Sequence, residues 1–235
     1  MKGKSVIKIG GSLLFNENKQ LNVKKIKEFC DVFEKVLDTD TVVIICGGGI
    51  IAREYINAVR SINENEAICD TFGIELSRIN SKLIISFLKE KAYPLVPKSI
   101  EELSHAMLFK KIIAMGGLQP GQSTTSVAVE VAEYIKVDHL VILTDVKGIY
   151  DKDPKKYKDA RLIPKLSYKE LQDLLLSSSG DKQAAAGEYR IFDAVSLQLL
   201  KRSKIEAHIM SGIDLDQFRR FWNGDKNVIG TIIAN

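Results

Sequence analysis

Four times along this chain an apolar run of strand-like composition stops at a cluster of glycines, and at least three of the clusters lead into a helix-like stretch. The first is Lys8-Ile9-Gly10-Gly11-Ser12, and the second is Cys46-Gly47-Gly48-Gly49 with Arg53 just beyond it. The third runs from Gly116 through Gly117-Leu118-Gln119-Pro120-Gly121-Gln122-Ser123-Thr124 to Thr125, and the fourth from Thr144 to Pro154. Glycines at strand ends let backbone N–H groups approach an anion closely, and a helix N-terminus adds a partial positive charge. One such loop says little. Several on one chain predict a crevice built for a heavily phosphorylated ligand.

The segments between the clusters keep the same alternation. Ser5–Ile9, Val42–Cys46, Tyr93–Val96, Ile112–Met115, Leu140–Leu143, Ala207–Met210 and Thr231–Ala234 read as strands. Continuous β-rich apolar runs such as Val42–Cys46 suit a sheet covered on both faces. Helical periodicity is read over Val23–Leu37, Ile50–Ser61, Ala67–Lys91 (with a possible break at Gly73), Ser99–Phe109, Ser123–Ile135, Ser167–Leu176, Ile191–Ser203 and Leu215–Trp222. The stretch 147–162 is charged and turn-rich, a hairpin or an extended excursion, and 177–187 reads as a polar loop. Strand–helix alternation of this kind predicts an α/β fold with a largely parallel sheet and helices on both faces.

Composition narrows the function classes. A net charge of +4 with both signs interspersed lacks the concentrated basic face of a nucleic-acid binder. The three cysteines, Cys30, Cys46 and Cys69, form no CxxC pair and have no ligand-like spacing to the three histidines, which argues against a disulfide framework or a zinc site. No apolar run approaches a membrane span, and the first strand begins too early to leave room for a signal peptide. The expected setting is the cytoplasm, with no membrane and no nucleic acid as partner.

Gly3-Lys4-Ser5 lacks the upstream glycine of a phosphate-binding P-loop, and no GxGxxG occurs. Lys8 is better placed. At the end of the first strand it supplies a point charge to a transferring phosphoryl group, or else it is a surface lysine beside a tight turn. Arg53 lies about one helical turn beyond Gly49, where its fork can grip a phosphate bidentately. The segment 116–125 suits an anion and a polar ring held mainly by backbone groups. Asp70, beside Cys69 and Thr71, reads locally as no more than a helix cap.

Together, KIGGS, CGGGIIAR, GGLQPGQST and TDVKGIYDKDP resemble the amino acid kinase superfamily, and within it the uridylate kinases of archaeal type. The resemblance covers essentially the whole chain, with GGLQPGQST its most specific part. It implies a single α/β/α three-layer sandwich, with an acceptor lobe over about 1–140 and an ATP lobe over about 141–235. It also implies a homohexamer and transfer of the γ-phosphoryl group of ATP to UMP with Mg²⁺, in pyrimidine nucleotide synthesis. Carried over by motif, Gly11, Ser12, Gly49 and Arg53 lie at the ATP phosphates, and Thr144, Tyr150 and Asp153 on the adenosine side. Gly48, Asp70 and the stretch Leu118, Gln119, Pro120, Gly121, Gln122, Ser123 and Thr124 hold UMP, with Asp70 on the ribose hydroxyls. Lys8 and Arg53 are the expected catalytic residues. The UMP phosphate is already an anionic nucleophile near neutral pH, so in-line transfer needs charge neutralisation and alignment but no general base.

Three positions depart from the family pattern: Thr125 where several relatives have Asp, Lys147 where Asp is common, and Lys8, basic at a position that is not basic in every archaeal-type relative. The nearest rivals are other phosphotransferases of the superfamily. Isopentenyl phosphate kinases typically place a His in the helix after the second glycine loop, and residues 50–60 contain none. A non-catalytic nucleotide-binding regulator on the same scaffold is the other class.

Overall fold

The apolar runs read as strands pair with one another side by side. β1 (Lys4–Ile9) lies parallel to both β2 (Thr41–Cys46) and β4 (His139–Thr144). Beyond β2 lies β3 (Ile112–Met115), and beyond β4 lies β6 (Ala207–Ser211), both again parallel. β7 (Thr231–Ala234) runs antiparallel to β6 and carries β5 (Lys165–Ser167) on its far edge. The order is therefore β3-β2-β1-β4-β6-β7-β5. This computed structural model describes residues 3–36, 41–63, 65–109, 112–179, 191–225 and 227–235.

Every residue of β2 and β3 is buried, as continuous apolar runs in a doubly covered parallel sheet should be. Successive strand residues serve opposite faces. Ile7, Ile9, Val42 and Ile44 pack on one side with Phe29 and Phe33 of α1 (Val23–Val36), Ile84 and Leu88 of α3 (Glu66–Leu88), and Phe218 and Trp222 of α8 (Asp216–Trp222). Val6, Val43, Ile45 and Ile142 pack on the other with Leu103 of α4 (Ile100–Met107), α5 (Thr124–Ile135), Leu171 of α6 (Tyr168–Ser179) and α7 (Ala194–Ser203). This is the expected α/β/α three-layer sandwich. α2 (Gly49–Arg60) lies against α3 on the first side.

Several boundaries differ from the sequence reading. Tyr93–Val96 is not a strand: Ala92 makes a single bridge to Ile112, and Pro94, with no N–H to give a ladder, follows at once. α3 runs unbroken through Gly73, where a β-carbon would meet Ile56 of α2 at 3.3 Å, so the glycine serves close helix packing rather than a break. α3 stops at Leu88, and a 3₁₀ turn, Lys89–Lys91, takes the place of its expected last turn. α6 extends to Ser179, into the expected polar loop, and the rest of that loop lies outside the described residues, as does Leu37. α7 begins only at Ala194, where Asp193 caps it. The 3₁₀ turn Gly11–Leu14 and the three-residue β5 were not foreseen.

Candidate active site

From β1 the chain steps to β2 and β3 in one direction along the sheet, and from β4 to β6 in the other. A crevice opens outside the carboxyl ends of parallel strands where the order reverses, here between β1 and β4. The glycine clusters all leave the sheet at that edge. Gly10 N–H donates to the Leu143 carbonyl at 2.8 Å, Gly47 N–H to Ile9 at 3.0 Å, and Gly212 N–H to Thr144 at 2.7 Å. These bonds carry the ladder just past the strands and fix where each loop starts.

The first two loops are then pressed together. Gly49 has φ +75°, a conformation glycine adopts without penalty, and a β-carbon there would lie 2.6 Å from the Gly11 carbonyl oxygen. The buried side chain of Asn80, on α3, donates from Nδ2 to the carbonyls of Gly47 at 2.8 Å and Gly48 at 3.2 Å. With those carbonyls turned toward α3, the amides that open α2 are free to face the cleft.

Lys8 shares the strand face of Val6, the face covered by α5 and α7. Burial lowers its ammonium from 10.5 to about 8, against the attraction of Asp145 and Asp193, which raises it. Asp193 is a buried carboxylate. It accepts from Ser126 Oγ at 2.8 and 3.1 Å and from the Ser196 N–H at 2.7 Å, while its own N–H donates to Ser196 Oγ, a reciprocal cap of α7. Asp145 pairs with Lys155 at 2.5 Å and accepts from Thr144 Oγ1 at 3.3 Å.

A cavity of about 180 Å³ joins these parts. Lys8, Gly11, Ser12, Gly48, Gly49, Arg53, Asp70, Gln122, Ser123, Thr124 and Thr144 all line it. So do Gly10, Gly47, Ala52, Ile56, Gly73, Ile74, Gly117, Thr125 and Ile191. Ser123 caps α5 through the Ser126 N–H at 3.1 Å, so the start of that helix opens on the cleft. Two polar atoms at the cleft, Ser12 Oγ and Gln122 Oε1, are buried with no hydrogen-bond partner among the described residues. The Gln122 amide is oriented from its other end, Nε2 donating to Glu130 at 2.9 Å.

Six expected site residues do not line the cavity: Leu118, Gln119, Pro120, Gly121, Tyr150 and Asp153. Gln119, Pro120 and Gly121 form the exposed bend of their loop, tied down where the Gly121 N–H donates to Asp70 Oδ2 at 2.8 Å. Tyr150 pairs with Leu162 across an antiparallel bridge in the excursion after β4. Asp153 is exposed and holds a turn there, accepting from the Lys155 N–H at 2.9 Å. Asn80 and Asp193 were missed. For Asp193 the Asp-x-x-Ser spacing signals a helix cap, but nothing local signals that it acts on Lys8.

The sequence pattern of the amino acid kinase family matches residues 3–211. The chain is 40% identical over 232 residues to a uridylate kinase of Methanobrevibacter smithii, covering 99% of both chains. It is 36% identical to a uridylate kinase of Sulfolobus acidocaldarius, over 98% of this chain and 99% of that one. Among solved structures, the uridylate kinase of Archaeoglobus fulgidus superposes with a TM-score of 0.80 at 32% identity, covering 98% of this chain and 99% of the other.

Proposed function

Because this chain belongs to the amino acid kinase family, we propose that it is a uridylate kinase, transferring the γ-phosphoryl group of ATP to the phosphate of UMP to give ADP and UDP. The observation that carries this reading is full-length likeness to uridylate kinases combined with a cleft in which the end of the GGLQPGQST loop faces both glycine turns.

In this reading the turns at Gly11–Ser12 and Gly49, with Arg53, take the ATP phosphates, and Thr144, Tyr150 and Asp153 take the adenosine side. Gly48, Asp70 and Leu118–Thr124 take UMP. Ser12 Oγ and Gln122 Oε1 find partners on the ligands. Lys8 and Arg53 neutralise the charge that two polyanions bring together, and the backbone amides fix the phosphates for an in-line approach. No residue has to remove a proton from the acceptor, because the phosphate oxygen is already anionic. The two lobes meet at about residue 140, so the reacting phosphates lie where the lobes join.

Mg²⁺ fits this donor set as a companion of ATP. The cleft offers amides and cations that hold phosphate oxygens, and among the described residues no three His, Cys, Asp or Glu side chains converge as a cage. Mg²⁺ commonly keeps several waters and binds chiefly through substrate phosphates. When bound, it neutralises charge on the β- and γ-phosphates.

We further take the enzyme to be a cytoplasmic homohexamer serving pyrimidine nucleotide synthesis. Its three cysteines are buried free thiols, in keeping with a reducing compartment. Light scattering tests the hexamer.

The activity is tested by ADP release from Mg-ATP with UMP, CMP, dUMP and isopentenyl phosphate in parallel. Fastest turnover with UMP is expected. Turnover with isopentenyl phosphate and not UMP would move the chain to another acceptor class, and ATP binding without turnover for any acceptor would remove the enzymatic reading.

A further inference from the structure

The acceptor loop is not held in place by its own residues. Its first three positions, 116–118, lie flat on one turn of α3. A β-carbon on Gly116 would come within 2.6 Å of both the Arg78 amide nitrogen and Ser77 Oγ. The Gly117 N–H donates to Ser77 Oγ at 2.7 Å, and Ser77 Oγ in turn donates to the Ile74 carbonyl at 2.6 Å. The Gly117 carbonyl accepts from Arg78 Nε at 3.1 Å, and the Leu118 carbonyl from Arg78 Nη2 at 3.2 Å. Both polar groups of the Gly117 peptide are thus fixed by α3, and the next carbonyl with them.

Arg78 is well suited to this. Its side chain is only 12% exposed, and its remaining nitrogen, Nη1, is paired with Glu75 at 2.6 Å. A planar fork held from one end offers its other donors in a fixed direction, which a lysine ammonium on a flexible stem does not. The guanidinium does not line the cavity. Three residues further along the same loop, the Gly121 N–H meets Asp70, also on α3.

We infer that Arg78 is a positioning residue of the acceptor site: by holding the Gly117 and Leu118 carbonyls against α3, it sets the course of the loop through Gly121 to Gln122–Thr124 in the cleft. This rests on reading that loop as the UMP-binding segment. UMP affinity then depends on a side chain that never touches UMP, whereas ATP, held by the two glycine turns, is insensitive to it.

The test is steady-state kinetics on the full-length protein, varying UMP and ATP separately, for Arg78→Met, Arg78→Lys and Glu75→Gln, with a thermal melt of each. For Arg78→Met the KM for UMP should rise roughly 10- to 100-fold while that for ATP stays within about twofold, since loop misplacement of an ångström costs this much. Arg78→Lys, which keeps the charge and loses the fork, should fall between Met and wild type. Glu75→Gln, whose amide oxygen still accepts from Nη1 and so leaves the fork anchored and both carbonyl bonds in place, should keep the wild-type KM for UMP. Should Arg78→Met fail to fold, the UMP-against-ATP split in Arg78→Lys decides. An unchanged KM for UMP, or both KM values rising together with a lowered melting point, would overturn the inference while leaving UMP kinase activity intact. A wild-type protein that neither binds nor phosphorylates UMP would overturn the functional reading and this inference with it.

Discussion

Gly11 and Gly49 meet backbone to backbone: a β-carbon on Gly11 would lie 2.1 Å from the Gly49 amide nitrogen and 2.5 Å from its Cα. Neither atom can swing aside as a side chain would, so the two loops of the proposed phosphate site hold a spacing that only glycine permits. Gly11→Ala must push them apart. Turnover should fall by roughly 100-fold, the order expected when reacting groups are misplaced by about an ångström. Gly121→Ala is the contrast. It meets nothing within 4 Å but sits at φ +80°, so it should cost only about 1–2 kcal/mol of backbone strain in a thermal melt. Wild-type turnover in Gly11→Ala would show that the loops do not need their contact.

Lys8 makes the reaction pH-sensitive on the alkaline side. Its ammonium is lowered to about 8 in the folded protein against 10.5 for an ordinary lysine. The charged form is the one that neutralises phosphate, so kcat/KM, which reports the free enzyme, should fall as pH rises through about 8. The stability sign is the opposite. Between about 8 and 10.5 the unfolded chain binds the extra proton, so this group's contribution to stability rises with pH across that window. Lys8→Ala should lower kcat far more than it changes UMP affinity. A pH profile flat to about 10 would remove Lys8 from the charge balance.

Asp193→Asn should move that alkaline limb to lower pH. The Asp193 carboxylate raises the Lys8 value by attraction, as Asp145 does, and an amide cannot. Asn still accepts from the Ser196 N–H and from Ser126 Oγ, so the α7 cap survives and the melting point should change little. A limb that stays in place would mean that Asp193 serves only the helix.

The parts of the site that were legible in the sequence are those whose signal is local. Lys8, Gly11, Ser12, Gly48, Gly49 and Arg53 follow directly from strand ends and the turns after them. Thr144 and Gln122–Thr124 came with motifs that extend over neighbouring residues. Asn80 and Asp193 were illegible for a physical reason: Asn80 acts on a carbonyl 33 positions away and Asp193 on a hydroxyl 67 positions away. Only packing brings such pairs together. Gly73 misled because helix propensity counts glycine as a cost, whereas here it lets α2 approach α3. β5 has three residues, too few to display a period. The alternation of buried apolar runs and helices, in contrast, is repeated often enough to define the three layers.

Asp70 faces two tasks. Its Oδ2 takes the Gly121 N–H at 2.8 Å, and it lines the cleft where the ribose hydroxyls of UMP are proposed to lie. Asp70→Asn keeps an acceptor for Gly121 but turns a donor toward the ribose in place of a charged acceptor. The KM for UMP should rise by about tenfold or more, the scale of a lost charge-assisted hydrogen bond, with the KM for ATP unchanged. Asp70→Ala loses both contacts and should be worse. Equal effects on both substrates would argue that Asp70 shapes the fold rather than the acceptor site.

Asn80 separates stability from chemistry most cleanly, because it is buried and does not line the cleft. Its Nδ2 group is the shared donor to the Gly47 and Gly48 carbonyls. Asn80→Ala leaves two carbonyls short of a donor, at a cost of about 1–3 kcal/mol for each one left unsatisfied. Asn80→Asp is nearly the same size, so its packing is intact, yet it aims carboxylate oxygens at carbonyl oxygens in the interior. Burying an unpaired charge in this way costs about 3–5 kcal/mol on top of the same two lost donor bonds, and the group escapes part of the penalty only by taking up a proton. Chemical denaturation at a pH of about 8, well above the ordinary carboxylate range, should therefore rank wild type above Asn80→Ala and Asn80→Ala above Asn80→Asp. The Asn80→Asp variant should recover as the pH falls. If Asn80→Asp were instead tolerated at the higher pH, the second glycine loop would be held by its own turn geometry and not by α3.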